Sequence, residues 1–185
     1  GSVSQLVDSS SGIHPRHSAY YIRTVRGDNK DPLTQFMIDS GVPSEPDFMK
    51  PDTQTVFSFP MKSPTTSTLR DDMTAIEQLE MWLTYQRYWC EHKPSVTVSV
   101  RDDEWMEVGA FVFEHFDEMS GVSFLPHSEH TYQQAPYQEC TEAVYNDFRS
   151  KFGHIDWNKF RDYEKEDTTS GSQTFACAGD SGETV

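Results

Sequence analysis

The chain has 185 residues, with 30 Asp or Glu against 15 Lys or Arg, so its formal net charge is −15 with the seven His neutral. This balance excludes a protein that coats nucleic acid through clustered cations. No apolar run approaches the roughly 20 residues that span a bilayer. Hydrophobic residues make up 35%, below the usual ~45–50%, but aromatics at 13% partly offset this because each buries a large area. The length allows one domain or a piece of a larger one.

The opening Gly1–Ser11 is small and polar, without the basic start and apolar stretch of a secretory signal. Three widely spaced Cys do not make a disulfide framework, so the expected compartment is a reducing cytoplasm. Up to residue 30 the cations Arg16, Arg23, Arg26 and Lys30 outnumber Asp8 and Asp28, and His14 and His17 lie among them. Such a local basic patch in an acidic protein points to a site for a small anion; a solvated surface explains it as well.

Ser18–Arg26 is β-branched and aromatic, and predicts a strand. Pro32, Gly41, Pro43, Pro46 and Pro51 then interrupt the chain, so Asp31–Asp52 reads as a short helix plus loop. Thr53–Pro60 is a second strand, and Pro64 with the Thr/Ser cluster after it marks a loop. Asp71–His92 carries the best helical pattern. Met73, Ile76, Leu79 and Leu83 recur at helical spacing, Trp82 and Trp89 widen the stripe, and Asp71 and Asp72 suit its positive end. Pro94 follows as a stop.

Ser95–Val100 alternates Val96, Val98 and Val100 with polar residues, the pattern of a half-buried strand. Asp102–His115 predicts another helix, with Trp105, Val108 and Val112 inward. Gly121–Pro126 is a short strand, and Thr141–Phe152 a further helix. Trp82, Trp89, Trp105 and Phe116 are expected to be core. Alternating strands and helices indicate an α/β fold. From Lys165 onward the residues are too polar to bury a core, which predicts a mobile tail over 165–185 after a folded 1–164.

The chemistry-bearing candidates begin at the amino end. Ser2, Ser4, Ser9, Ser10 and Ser11 lie close to Gly1 and Gly12, and hydroxyls beside glycines can present O–H and N–H donors to phosphate. Such runs are usually linkers, but this one leads directly into an aromatic segment with Arg23 and Arg26. Cys90 reads as a buried thiol on a helix beside Trp89, and Cys140 as equally bland. His14 and His17, and His127 and His130, are spaced by three, yet no Cys pair completes a zinc ligand set. Tyr132, Gln133, Gln134, Pro136 and Tyr137 share a loop with His130. On composition it is a surface loop.

Several long words in the chain resemble the adenosylcobalamin-dependent (class II) ribonucleotide reductases of the monomeric, triphosphate-reducing type. They are Gly1-Ser-Val-Ser-Gln-Leu, Ser10-Ser-Gly-Ile-His-Pro-Arg-His, Tyr20-Tyr-Ile-Arg, Asn29-Lys-Asp-Pro-Leu-Thr-Gln-Phe, Met49-Lys-Pro-Asp-Thr and Phe57-Ser-Phe-Pro. Trp89-Cys-Glu-His-Lys-Pro-Ser-Val-Thr-Val, Glu107-Val-Gly-Ala, Ser120-Gly-Val-Ser-Phe-Leu-Pro and His130-Thr-Tyr-Gln-Gln-Ala-Pro-Tyr-Gln continue the series over nearly the whole chain.

The resemblance implies the carboxy-terminal portion of a ten-stranded α/β barrel, which acts with the amino-terminal part of the same reductase. It implies adenosylcobalamin in the complete enzyme, a ribonucleoside triphosphate as substrate, thiyl-radical chemistry and a thioredoxin-like reductant. It implies that Gly1, Ser2 and Ser4 hold substrate phosphates and that Cys177 is a tail thiol. Ser10, Ser11, His14, Arg16, His130 and Tyr132 fall in shared words and are expected near substrate or cofactor. Two positions depart from the family pattern: Gly182 stands where a second tail Cys is usual, and Thr24 where a second Arg is frequent. A single thiol forms a mixed disulfide but has no resolving partner nearby. The competing readings are a non-catalytic interaction module and an independent nucleotide-binding module on the same scaffold.

Overall fold

The computed structural model describes residues 3–4, 7–127 and 133–164. Two compact units emerge, Gly1–Tyr20 with Lys62–Thr131, and Tyr21–Met61 with Tyr132–Val185. No described helix is long and apolar enough to cross a membrane.

The first unit is built on helix α2 (Ala75–Tyr88), strand β4 (Val96–Val100), helix α3 (Trp105–Glu114) and strand β5 (Val122–Pro126). Thr74 starts α2 with a capping box: its hydroxyl accepts the Glu77 N–H, and the Glu77 carboxylate accepts the Thr74 N–H. Leu79, Trp82 and Leu83 are buried against Val96, Val98, Val100 and Val108, with Ile76 partly buried beside them. The Trp82 indole N–H donates to Pro94 O at 2.8 Å, so its polar atom is satisfied inside the core. β4 and β5 pair in parallel, Val96 opposite Val122 through Val100 opposite Pro126, and α3 forms the crossover between them.

Three expectations change here. Asp71 and Asp72 do not lie on α2 but in a single 3-10 turn, Arg70–Asp72, because Thr74 caps the helix and its first residue is Ala75. Asp72 accepts the Leu69 N–H at 2.8 Å. The helix ends at Tyr88, so Trp89 is 81% exposed and Cys90, beyond the helix, is half-buried. Trp105 and Phe116 are exposed as well, and only Trp82 of those four aromatics is core.

The second unit carries a four-stranded sheet in the order β2 (Ser44–Pro46), β3 (Gln54–Lys62), β1 (Tyr20–Asp28), β6 (Tyr137–Glu139). The pairs β1–β6 and β2–β3 are antiparallel. Helix α1 (Pro32–Asp39) is capped by Asp31, whose side chain accepts the Leu33 N–H. It lies so close that a Cβ on Gly27 of β1 would collide with the Thr34 hydroxyl. Phe36 packs against Trp157, Phe160 and Tyr163 with ring centroids 5.6, 5.7 and 5.5 Å away. The last three belong to the 3-10 turn Trp157–Asp162 and its cap Tyr163, which follow helix α4 (Glu142–Ser150). Strands β2 and β6 lie where the sequence predicts loop. They are three residues long, too short for an alternation to register.

Candidate functional site

The amino-terminal segment is held in place by its own side chains. Ser9 N–H donates to Ser4 O at 2.8 Å, closing a turn through Asp8, which sits at φ 51°. Arg16 is buried and donates to the Asp8 carboxylate at 2.8 Å and to the Asp8 carbonyl. A buried guanidinium needs such a partner. The Arg16 backbone also pairs with Thr68 and Arg70, forming a parallel bridge to Leu69.

His14 joins this segment to the central strand. Its Nδ1–H donates to Ser11 O at 2.6 Å, and its Nε2 accepts the Thr97 N–H at 3.0 Å. The two partners define a neutral imidazole with the proton on Nδ1. Two residues further along β4, Gln78 Oε1 accepts the Ser99 N–H at 3.4 Å. Thr97 and Ser99 point their amides to the same edge of β4, away from β5. That edge is therefore closed by two side chains.

A second group of polar residues collects where β4 and β5 end. His127 N–H donates to Val100 O at 2.7 Å, and its ring Nε2–H donates to the Asp71 carboxylate at 2.9 Å. Arg101, next after β4, donates to Asp71 O at 3.0 Å and lies 3.5 Å from Glu104. The His127 imidazole, with Arg70 adding to it, holds the Asp71 carboxyl below its ordinary range. Burial, with the Arg70 charge, pushes His17 down to about 4, so this imidazole is neutral at pH 7. Carboxyl ends of parallel strands are where α/β proteins take their ligands.

In the second unit two cations of the expected anion patch, Arg23 and Arg26, are engaged by protein groups, while Lys30 is exposed. Arg26 donates to the buried Asp47 carboxylate at 2.6 Å and to Gln134 O at 3.3 Å. The Arg26 guanidinium in turn holds the Asp47 carboxyl below its ordinary range. Arg23 lies 4.3 Å over the Tyr137 ring and donates to Pro136 O. Arg23 and Arg26 have partners that lie far away in the sequence, so charge counting overestimates the patch. Thr24, at the position of the family's second Arg, is buried and donates to Ala135 O at 2.9 Å.

Gln134, expected in a surface loop, is a buried anchor of that loop. At φ 57° it is buried; its Oε1 accepts the Phe48 N–H, and its Nε2 donates to Glu45 and to Pro46 O.

Of the sequence-derived site residues, Ser4, Ser10, Ser11, His14 and Arg16 lie in the first unit, within the segment that borders β4. Gly1, Ser2, His130, Tyr132 and Cys177 lie outside the described residues, as does the tail segment 165–185. Sequence reasoning missed Asp71, Arg101 and Gln134 as organisers. The contacts that join them to distant segments span 30 or more residues, and no local motif announces them. Among the described residues no group of three or more His, Cys, Asp or Glu is placed to hold a metal ion. The Cys140 thiol is pushed up by burial and by Glu139, the opposite of an activated nucleophile.

A cleft of about 670 Å³ in the second unit is lined by Phe36, Asp39, His154, Asp156, Asp162 and Tyr163 among others. Clefts of roughly 300–1,000 Å³ take drug-sized ligands. A corrin with its nucleotide tail and adenosyl group is larger, and this lining is acidic. This cleft by itself does not fit that cofactor.

No family model matches the chain. Curated relatives do. A probable adenosylcobalamin-dependent ribonucleoside-triphosphate reductase of Dictyostelium discoideum is 30% identical over 174 residues, covering 91% of this chain and 23% of the relative. The chain is homologous to a segment of these reductases. An adenosylcobalamin-dependent ribonucleoside-triphosphate reductase of Euglena gracilis is 28% identical over 149 residues, covering 80% of this chain and 20% of its own. The Lactobacillus leichmannii reductase is 27% identical over 150 residues, 78% of this chain and 20% of its own. The chain thus spans about a fifth of the length of the curated relatives it matches. A crystal structure of a B-12 dependent (class II) ribonucleotide reductase superposes with a TM-score of 0.69 at 22% identity, over 97% of this chain and 24% of that one. The α/β fold is therefore that of a portion of a class II reductase.

Proposed function

We propose that this chain is the carboxy-terminal segment of an adenosylcobalamin-dependent ribonucleoside-triphosphate reductase, completing a ten-stranded catalytic barrel that begins elsewhere in the polypeptide. The observation that carries the reading is the match over 91% of this chain to 23% of a reductase. The two-stranded parallel sheet supports it, since parallel strands are normally found in larger sheets covered on both faces.

In this reading residues 1–164 finish the barrel and 165–185 are a redox tail. The complete enzyme reduces ribonucleoside triphosphates to deoxyribonucleotides for DNA synthesis in the cytoplasm, and the cofactor supplies radical chemistry to it. Gly1, Ser2 and Ser4 contact the substrate phosphates. The Ser4–Ser9 turn and the Asp8–Arg16 pair fix the backbone that presents them. Arg16 acts through this anchoring rather than as a free phosphate ligand. His14 and Ser11 hold the same backbone against β4, and His130 and Tyr132 border the substrate or the cofactor. Cys177 attacks an active-site disulfide and forms a mixed disulfide, releasing one thiol; a thioredoxin-like dithiol supplies the two electrons that finish the exchange.

Gly182 favours one alternative, a scaffold that has lost turnover and kept assembly. The test is to combine the chain with the remainder of a matching reductase, adenosylcobalamin, a ribonucleoside triphosphate and a dithiol. Deoxynucleotide formed only by the mixture supports catalysis. Association without product supports the scaffold. Nucleotide binding by the chain alone points to an independent binding module.

A further inference from the structure

The face of the β4–β5 pair that points away from the helices ends in a polar group. Val96, Val98 and Val100 turn toward α2 and α3. By strand alternation Thr97 and Ser99 of β4, and Ser123 and Leu125 of β5, turn to the opposite face. Leu125 is 57% exposed there. The His127 N–H continues the ladder to Val100 O, so the next positions on that face are Arg101 and His127. Both donate to Asp71, which brings its neighbour Arg70 to the same end.

Arg70 differs from the other arginines of this unit. Arg16 donates to Asp8, Arg87 to Glu118 and Arg101 to Asp71 O. The Arg70 side chain is 19% exposed, yet its Nε–H is buried and makes no hydrogen bond. The carboxylate beside it, Asp71 Oδ1, is 3.5 Å away and already accepts the His127 ring N–H at 2.9 Å. Glu104 of the same group accepts the Ala75 and Arg101 amides. A buried donor without an acceptor is costly, and native proteins rarely leave one. The fork of a guanidinium matches the oxygens of a phosphate.

We propose that Arg70 is a further substrate-binding residue, whose guanidinium donates through Nε–H to a phosphate oxygen of the ribonucleoside triphosphate. The inference rests on the reductase reading and deepens it, because that reading assigns the substrate phosphates to Gly1, Ser2 and Ser4 alone. Two placements support it. Arg70 lies at the carboxyl ends of parallel strands, where α/β proteins take their ligands. Its backbone N–H donates to Arg16 O at 2.8 Å, so it is carried beside the segment that follows the serines. The phosphate supplies the acceptor that Arg70 lacks. Asp71 does not compete for the guanidinium, because the His127 ring occupies its Oδ1.

The test uses a hybrid in which this chain replaces the matched segment of the Dictyostelium relative in one polypeptide, supplied with adenosylcobalamin, a ribonucleoside triphosphate and a dithiol. Initial rates are measured for wild type, Arg70→Gln, Arg70→Lys and the surface control Arg87→Gln. The expected result is a triphosphate KM raised about tenfold or more in Arg70→Gln. Arg70→Lys keeps the charge without the fork and should raise it less, and Arg87→Gln should keep the wild-type KM. The half-saturating adenosylcobalamin concentration should be the same in all four. The urea midpoint of the isolated chain should not fall in Arg70→Gln, because Nε has no hydrogen bond to lose. If the wild-type hybrid forms no deoxynucleotide beside an active parent, the reductase reading fails and this inference with it. If the hybrid turns over and Arg70→Gln keeps the wild-type KM, this inference alone fails. A raised half-saturating adenosylcobalamin concentration with unchanged KM assigns Arg70 to the cofactor's phosphodiester, and a lowered urea midpoint with unchanged KM assigns it to the fold; either result overturns the proposal.

Discussion

His14 Nε2 accepts the Thr97 N–H across 83 residues of sequence, and through it the serine-rich opening segment is fastened to the edge of a parallel strand. The same imidazole receives nothing at Nδ1 but donates there to Ser11 O. One neutral tautomer thus satisfies a strand amide and a turn carbonyl together.

Replacing His14 by Ala leaves the Thr97 amide without its acceptor. The Thr97 amide is half-buried, so the expected cost is about 1 kcal/mol, that of an ordinary hydrogen bond. His14→Gln, which keeps an acceptor, should recover part of it. Urea unfolding reads the stability, and exchange at Thr97 should accelerate selectively in the Ala variant. Unchanged exchange at Thr97 would remove the bond from the account.

His17 makes stability fall with acid. Burial and the Arg70 charge lower its pKa from 6.5 to about 4. Between those values the unfolded chain takes up the proton more readily than the folded one, so acidification favours unfolding. The contribution is complete above pH 6.5 and is lost as pH falls toward 4. The urea midpoint should decline across that window, and less steeply in His17→Gln. An equal slope in both proteins contradicts the assignment.

Asp47 titrates lower. Arg26 and the Lys50 and Met49 amides stabilise its carboxylate, so its contribution is present above the ordinary Asp pKa and is lost as pH falls through the depressed folded value. Asp47→Asn keeps the size and weakens these contacts. The variant should be less stable than the wild type at neutral pH, read by urea unfolding. Arg26→Gln in the same background should add little, because the two groups act as a pair. Additive losses in the double variant would contradict this coupling.

Trp82 fills the centre of the first unit and spends its N–H on Pro94 O. Trp82→Ala should cost about 3–5 kcal/mol. Trp89→Ala, at an exposed position, should stay within about 0.5 kcal/mol. Thermal unfolding of the two variants distinguishes them, and equal losses would place Trp89 in the core after all.

This last contrast shows what the sequence can and cannot carry. The β4 alternation and the Ile76, Leu79, Leu83 stripe were legible, because burial with a regular period leaves a direct trace. Trp89 was not, since the helix ends at Tyr88, well before the Pro94 stop signal, and leaves Trp89 exposed. Arg26 and Arg16 looked like free cations because Asp47 and Asp8 find them only through the fold. Gln134 sits in a Tyr/Pro-rich stretch, and its burial comes from a turn 86 to 89 residues away. The His127–Asp71 pair is separated by 56 residues and has no motif. The long shared words, by contrast, located the family without any of these contacts.

The most direct measurement replaces the matched segment of the Dictyostelium reductase with this chain in one polypeptide and follows deoxynucleotide formation from a ribonucleoside triphosphate with adenosylcobalamin and a dithiol. Turnover that disappears when the segment is deleted is the result expected here. A folded hybrid that binds substrate and cofactor yet forms no deoxynucleotide, beside an active parent, would contradict the assignment of this chain to a working reductase.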